Sequence, residues 1–290
     1  MNMSLIRELL LSSRPFSWIN TAFPFAAAYL FATRELDWVL VLGALFFLVP
    51  YNVAMYGIND VFDYESDLRN PRKGGIEGAL LDPSLHSTVL WISALSTLPP
   101  ALLLMLGGGP ATWAAMLVSL FAVAAYSVKG LRFKERPFLD SVTSSTHFVS
   151  PAVVGFALAH DRVGFTPSPT VMIILAAFFL WGMAAHAFGA VQDVVPDREG
   201  GISSVATAIG ARPTVRMAVL LWAGAGVLLL LAPWPTPLAA LLVVPYVAIS
   251  LPWFNVTDAT SAGVNAAWRR FIWLNYGCGF LGTMLLIWVW

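Results

Sequence analysis

The chain has 290 residues, of which 58% are hydrophobic and only 11% charged, with a mean hydropathy of +0.75. That balance is far from ordinary globular usage and excludes a soluble domain in favour of a chain that crosses a membrane several times. Sixteen Lys and Arg against sixteen Asp and Glu give zero net charge, with no sign of a nucleic-acid partner, and the single Cys278 excludes an intrachain disulfide or a Cys-rich metal site.

Uncharged runs cover residues 15–33, 38–59, 83–128, 141–160, 163–192, 217–257 and 271–290. About 20 residues suffice to span the hydrocarbon of a bilayer, so two of these runs are too long for one crossing. Run 83–128 is broken by Gly107-Gly108-Gly109-Pro110, and run 217–257 by Pro233-Trp234-Pro235-Thr236-Pro237, both turn chemistry. The expectation is an all-α membrane protein, one polytopic domain over residues 1–290 with nine transmembrane helices in a bundle. No cleavable signal segment is expected, because the first run is long enough to span and lacks a small-residue cleavage site. Trp288 and Trp290 read as interfacial anchors in the bilayer.

With nine helices and a cytoplasmic N-terminus, the inside loops and ends hold Arg7, Arg14, Arg69, Arg72, Lys73, Lys129, Arg132, Lys134, Arg136, Arg198, Arg212, Arg216, Arg269 and Arg270. Only Arg34 and Arg162 fall outside. This positive-inside asymmetry supports the helix count, since a missed helix would scramble the alternation. It predicts a multi-pass protein of the plasma membrane whose active site opens to the cytoplasm.

Two acidic clusters then lie on the cytoplasmic side. The first, where the second helix ends, is Asn59-Asp60-Val61-Phe62-Asp63-Tyr64-Glu65-Ser66-Asp67; the second, where the sixth ends, is Gln192-Asp193-Val194-Val195-Pro196-Asp197. If the helix continues, Asp60, Asp63 and Asp67 share one face beside Asn59, and three carboxylates there repel one another at the negative end of the helix dipole. A divalent cation removes that conflict. The donors are hard oxygens without His or Cys, which select Mg²⁺ or Mn²⁺ over zinc, and Mg²⁺ usually binds through one or two carboxylates plus substrate phosphates. Asp193 and Asp197 repeat the spacing, although Pro196 between them is expected to kink or end the helix. Bases follow both clusters: Arg69, Arg72 and Lys73 after the first and Arg198 after the second, with Lys129, Arg132, Lys134 and Arg136 in a third loop. Arginines beside Mg²⁺ are a common way to hold a diphosphate as it departs. Lys134, Arg269 and Arg270 read as plain positive-inside residues.

The pair of motifs Asn59-Asp60-x-x-Asp63-x-x-x-Asp67 and Asp193-x-x-x-Asp197 resembles the UbiA superfamily of intramembrane prenyltransferases, and Tyr126-Ser127-Val128-Lys129 with Arg132 resembles that family's basic motif. The resemblance covers essentially the whole chain. It implies Mg²⁺ bridging Asp60, Asp63, Asp67, Asp193 and Asp197, with Asn59, to an isoprenyl diphosphate held by Arg69, Arg72, Lys73, Tyr126, Lys129, Arg132 and Arg198. Further segments, among them Tyr56-Gly57-Ile58, Arg69-Asn70-Pro71-Arg72-Lys73-Gly74-Gly75 and Leu274-Asn275-Tyr276, are similar to the lycopene-elongating members. That similarity implies dimethylallyl diphosphate as donor, lycopene as acceptor, C45 and C50 carotenoids as products with water sometimes captured, and association with other carotenoid-pathway enzymes. An aromatic acceptor of quinone or tetrapyrrole biosynthesis is the alternative.

Ionisation of the allylic C–O bond leaves a carbocation that an apolar, aromatic-lined cavity must shield from water. Tyr126, Phe62 and Tyr64 are candidate walls, though helix packing accounts for any one of them as well. His147 and His186 read first as interhelical hydrogen-bonding groups and second as acceptors of the final proton. Asp258 and Asn255 read as loop and capping residues. A transporter would place its charges near the midplane between broken repeats, and no such repeat is evident. A phosphatidyl-alcohol transferase would pack more Asp into one helix and not repeat the motif on a second.

Overall fold

A computed structural model describes residues 3–68 and 80–290, and every regular element among them is helical. Fourteen α-helices follow in chain order: α1 Met3–Ser12, α2 Ile19–Thr33, α3 Trp38–Leu48, α4 Pro50–Phe62, α5 Tyr64–Asp67, α6 His86–Gly107, α7 Pro110–Ser127, α8 Leu139–Val163, α9 Pro169–Ala190, α10 Val194–Glu199, α11 Val205–Ile209, α12 Ala211–Leu230, α13 Val244–Ser250 and α14 Asn265–Val289. Eight helical stretches among the described residues are long and apolar enough to cross a membrane, the first being Trp38–Phe62 and the last Asp258–Val289. Run 15–33, predicted as the first crossing, folds as a 3₁₀ turn over Pro15–Ser17 followed by the 15 residues of α2. At 1.5 Å per residue α2 is about 22 Å long, short of the roughly 30 Å hydrocarbon core, and it stands outside the eight.

The breaks have local causes. Gly108 and Gly109 separate α6 from α7, which begins on Pro110, where the missing N–H costs nothing. The Asp161 carboxylate, reaching over from α8, accepts from the Gly109 and Thr112 backbone N–H groups, both at 2.8 Å, and so caps α7 in place of a local side chain. Between α3 and α4, Pro50 interrupts the hydrogen-bond ladder within one crossing. The carbonyls released there are satisfied by side chains: Asn52 donates to Phe47 O at 2.9 Å and to Leu48 O at 3.1 Å, and Thr21 donates to Phe47 O at 2.6 Å. Beyond Pro233 the predicted eighth helix is mostly 3₁₀, over Thr236–Val243 and Leu251–Trp253, with only α13 between them. Prolines at 235, 237, 245 and 252 remove donors too often for a continuous α-ladder.

The chain packs as two compact units, Met1–Phe133 with Thr146–Thr166, and Lys134–Ser145 with Pro167–Trp290. The first has a core of edge-on and tilted rings, Phe25, Phe46, Phe47 and Tyr51. At the far end of its α3–α4 crossing from Asp60, Asp37 accepts from Tyr29 at 2.9 Å and pairs with Arg162 at 2.7 Å, tying α2 and α8 to the start of α3. Inside it, Ser119 donates to the Tyr51 hydroxyl at 3.1 Å and lies 2.7 Å from Ser150, so buried polar groups of three helices satisfy one another. The second unit is built on Phe188, Trp222, Tyr246 and Phe271, with Trp268 stacked on Phe271 at 4.7 Å.

With lipid as apolar as leucine, helix association depends on close approach and dispersion. A Cβ on Gly155 would lie 2.7 Å from Phe25 O and 3.0 Å from Tyr29 N, so α8 touches the backbone of α2 there. Gly155→Val should therefore lower stability by about 1–3 kcal/mol, read as a fall in the thermal midpoint of the detergent-solubilised protein; an unchanged midpoint would contradict this contact.

Candidate active site

The first acidic cluster lies in the first unit, at the end of α4. Asp63 ends the helix as its C-cap, yet its N–H still bonds Asn59 O at 2.9 Å and the Asp67 N–H bonds Asp63 O at 2.8 Å. The helical spacing thus carries through α5, and Asn59, Asp60, Asp63 and Asp67 are all buried or nearly so, Asp60 at 1% exposure. The basic motif after α7 reaches the same place. Ser127 donates to the Asn59 side-chain oxygen at 3.0 Å, while Arg132 donates to Phe62 O at 3.2 Å and lies 3.7 Å from Asp63. Tyr126 is half-buried and meets His147 edge-on at 5.2 Å; Lys129 is exposed. Arg69, Arg72 and Lys73 lie outside the described residues.

Two further residues, overlooked in sequence, close the cluster. Ser12 donates to one Asp60 oxygen at 2.9 Å, and Arg14 donates to the other at 3.1 Å with its guanidinium 4.3 Å above the Tyr56 ring. Arg14 and Arg132 both adopt left-handed backbone, φ 51° and 40°, a conformation that non-glycine residues hold only when their surroundings fix it. Burial pushes the Arg14 guanidinium down, but Asp60, with Tyr56 and Asp67, outweighs it and holds the group above its ordinary value. The only local hint was an Arg-Pro pair opening the first apolar run; a contact across 46 residues leaves no spacing to read.

Arg14→Ala would strand the buried Asp60 carboxylate and should destabilise the metal-free protein by about 2–3 kcal/mol. Mg²⁺ should then restore more stability to this variant than to the parent. Thermal melts in EDTA and in Mg²⁺ measure both, and equal shifts would remove Asp60 from any cation site.

The second cluster lies in the second unit. α9 ends at Ala190, a 3₁₀ turn covers Val191–Asp193, and α10 starts afresh with Pro196 in its first turn. The proline expected to interrupt the helix does so by withholding the N–H that Gln192 O would accept. Asp193 and Asp197, half-buried, thus flank a change of helix rather than one straight face. Gln192 anchors the turn, donating to Gly189 O at 2.9 Å and accepting from Asn265 at 2.6 Å. Arg198 pairs with Asp258 and donates to Thr207 O at 2.9 Å, while Asp258 accepts from Ala211 N at 2.7 Å. Asp258 therefore caps α12, as a loop residue was expected to, and it holds Arg198 alongside. Asn255 accepts from Arg216 at 2.9 Å.

Among the described residues, no three His, Cys, Asp or Glu side chains gather closely enough to hold an ion by themselves. An all-oxygen donor set of this kind nonetheless fits Mg²⁺ completed by substrate phosphates.

Eight helical stretches among the described residues, long and apolar enough to cross a bilayer, mark an integral membrane protein, with buried carboxylates and arginines gathered at the end of α4. The chain belongs to the UbiA prenyltransferase family, whose model matches residues 21–275. It is 52% identical over 288 residues to the lycopene elongase/hydratase of Corynebacterium glutamicum, covering 98% of each chain, and 31% identical to that of Haloarcula japonica, covering 99% of this chain and 93% of the other. A solved UbiA homologue from Archaeoglobus fulgidus, bound to GPP and Mg²⁺, shares the fold with a TM-score of 0.62 at 18% identity, over 93% of this chain and 99% of that one. The protein is a prenyltransferase.

Proposed function

We propose that this enzyme transfers a dimethylallyl group from its diphosphate to the ends of lycopene, with Mg²⁺ as cofactor and water captured by the product. The observation that carries this reading is the end-to-end similarity to the Corynebacterium elongase/hydratase, 52% over 98% of both chains. Mg²⁺, when bound, neutralises the leaving diphosphate and lowers the barrier to ionisation. Asn59, Asp60, Asp63 and Asp67 would hold it in the first unit, with Asp193 and Asp197 as the carboxylates of the second. Arg132, braced on Phe62 O, offers a guanidinium to the diphosphate oxygens, a geometry suited to bidentate recognition. Arg69, Arg72, Lys73, Tyr126 and Lys129 join it, while Arg198, fastened to Asp258 and Thr207, takes the diphosphate only by giving up part of that hold.

The acceptor needs an apolar chamber. A hydrocarbon acceptor requires no buried counter-charge, whereas a carboxylate buried without a partner would cost several kcal/mol, roughly. α2 serves as the ninth crossing, short and entered through the Pro15 turn, with the N-terminus and both clusters on the cytoplasmic side of the plasma membrane.

Membranes containing the chain, supplied with dimethylallyl diphosphate and Mg²⁺, should convert lycopene to products one and two C5 units larger and leave 4-hydroxybenzoate untouched. Mass spectrometry showing a prenylated hydroxybenzoate and unchanged lycopene would replace the carotenoid acceptor with an aromatic one.

A further inference from the structure

The Ala190 end of α9 has one half-buried side. From Gly182 to Asp193 every residue is buried except Met183, His186, Ala190 and Asp193, which are half-buried and spaced three, four and three apart. That spacing is one helical stripe. It leads from Asp193 of the second cluster inward to His186, about 10–12 Å along the axis, allowing for the 3₁₀ turn at its end. A stripe carrying Asp and His within a membrane protein opens on a polar or reactive space rather than on lipid tails.

The ring of His186 is oriented within the second unit. Its Nδ1 lies 3.1 Å from the buried Ser141 Oγ of α8. The neighbouring Asp140, fully buried, accepts from the Val205 and Ser141 backbone N–H groups, both at 2.7 Å, so its carboxyl group is held in place. It is close enough to act on the His186 ring electrostatically. A hydroxyl that orients the imidazole, with a fixed carboxylate to stabilise the imidazolium, is the arrangement a general base needs.

We infer that His186 is the general base of the hydration step, accepting the proton of the water that quenches the acceptor carbocation, with Ser141 as its positioning residue. The inference rests on the proposed lycopene reaction. As the C–O bond of the donor breaks and diphosphate leaves with the electron pair, the acceptor's alkene supplies the electrons of the new C–C bond and keeps a tertiary cation. Water adds to that cation through an oxygen lone pair, and its surplus proton passes to Nε2 of His186. The products are a tertiary alcohol and an imidazolium that returns its proton to solvent. With the base absent, the cation instead loses a neighbouring C–H proton to the departed diphosphate and ends as an alkene.

The test is the partition between the two endings, not the rate. Membranes with the full chain are given lycopene, dimethylallyl diphosphate and Mg²⁺ in ¹⁸O-water. The parent should incorporate one ¹⁸O per added prenyl group, with the hydrated fraction falling in D₂O. His186→Phe should release diphosphate within about threefold of the parent, while its ratio of hydrated to anhydro product drops at least ~10-fold, a modest share of what a positioned base supplies. Ser141→Ala should fall between the two. His186→Gln, close in size, reads the same ratio should the Phe variant not accumulate. An unchanged ratio in both His186 variants, or a parent product lacking ¹⁸O, overturns the assignment while leaving prenyl transfer to lycopene intact. Lycopene left unconverted by the parent would overturn both.

Discussion

Asp60→Ala, Asp63→Ala and Asp193→Ala should each reduce prenyl transfer by at least on the order of 10²–10³-fold, the cost of deleting one preorganised group that stabilises charge in a transition state. Their effects on stability should differ, because the surroundings differ. In sequence the first cluster looks compensated by metal alone, so that removing a carboxylate should leave the metal-free protein as stable or slightly more so. The structure overturns this for Asp60, whose two oxygens take Arg14 and Ser12. Asp60→Ala leaves a largely buried guanidinium without its carboxylate and should cost about 2 kcal/mol in EDTA. Asp193 is half-buried rather than fully buried, so Asp193→Ala should cost less stability than Asp60→Ala. Near-normal turnover by any two of the three variants would end the two-cluster assignment. A double-mutant cycle between Arg14 and Asp60 in EDTA would isolate their coupling from the metal.

What could be read in advance was what short-range chemistry decides. Gly107-Gly108-Gly109-Pro110 ends one helix and starts the next because those residues act on their own backbone, and α6 and α7 divide there. The Asp60, Asp63 and Asp67 spacing survives because the i to i−4 bonds persist through Asp63. Charge-free runs mark helix boundaries less well. α12 begins at Ala211 and α14 at Asn265, each several residues before its run, because Arg212, Arg216, Arg269 and Arg270 sit in opening turns at the membrane edge, where long cationic side chains reach water. Contacts made through tertiary structure left no trace. Ser12 and Arg14 meet Asp60 across 48 and 46 residues, Asp161 caps α7 from α8, and Asp258 holds Arg198 across 60. His186 looked like a packing residue because its helix is apolar; only the pattern of exposure along α9 separates an inward stripe from a buried one.

Chelation should abolish transfer altogether, and Mg²⁺ or Mn²⁺, but not Zn²⁺, should restore it. The candidate ligands are carboxylate and amide oxygens, which suit hard cations, whereas Zn²⁺ favours nitrogen and sulfur donors that these clusters lack. A Lewis acid contributes several kcal/mol to a departing diphosphate, and about 4 kcal/mol is already a factor near 10³ in rate. Arg14 and Arg132 cannot replace it, since Arg14 is committed to Asp60 and the one guanidinium of Arg132 carries a single charge where the metal carries two. The same geometry predicts how the metal binds. No three described carboxylate, imidazole or thiol groups converge to hold an ion alone, so Mg²⁺ should bind weakly to the free enzyme and much more tightly once diphosphate supplies the remaining oxygens. Mn²⁺ titrations followed by electron paramagnetic resonance, with and without inorganic diphosphate, should therefore show at least a ~10-fold tightening, an order-of-magnitude reading of that ligand count. Affinity that is tight and indifferent to diphosphate would mean a preformed protein site, and full activity in excess EDTA would remove the metal from the reaction.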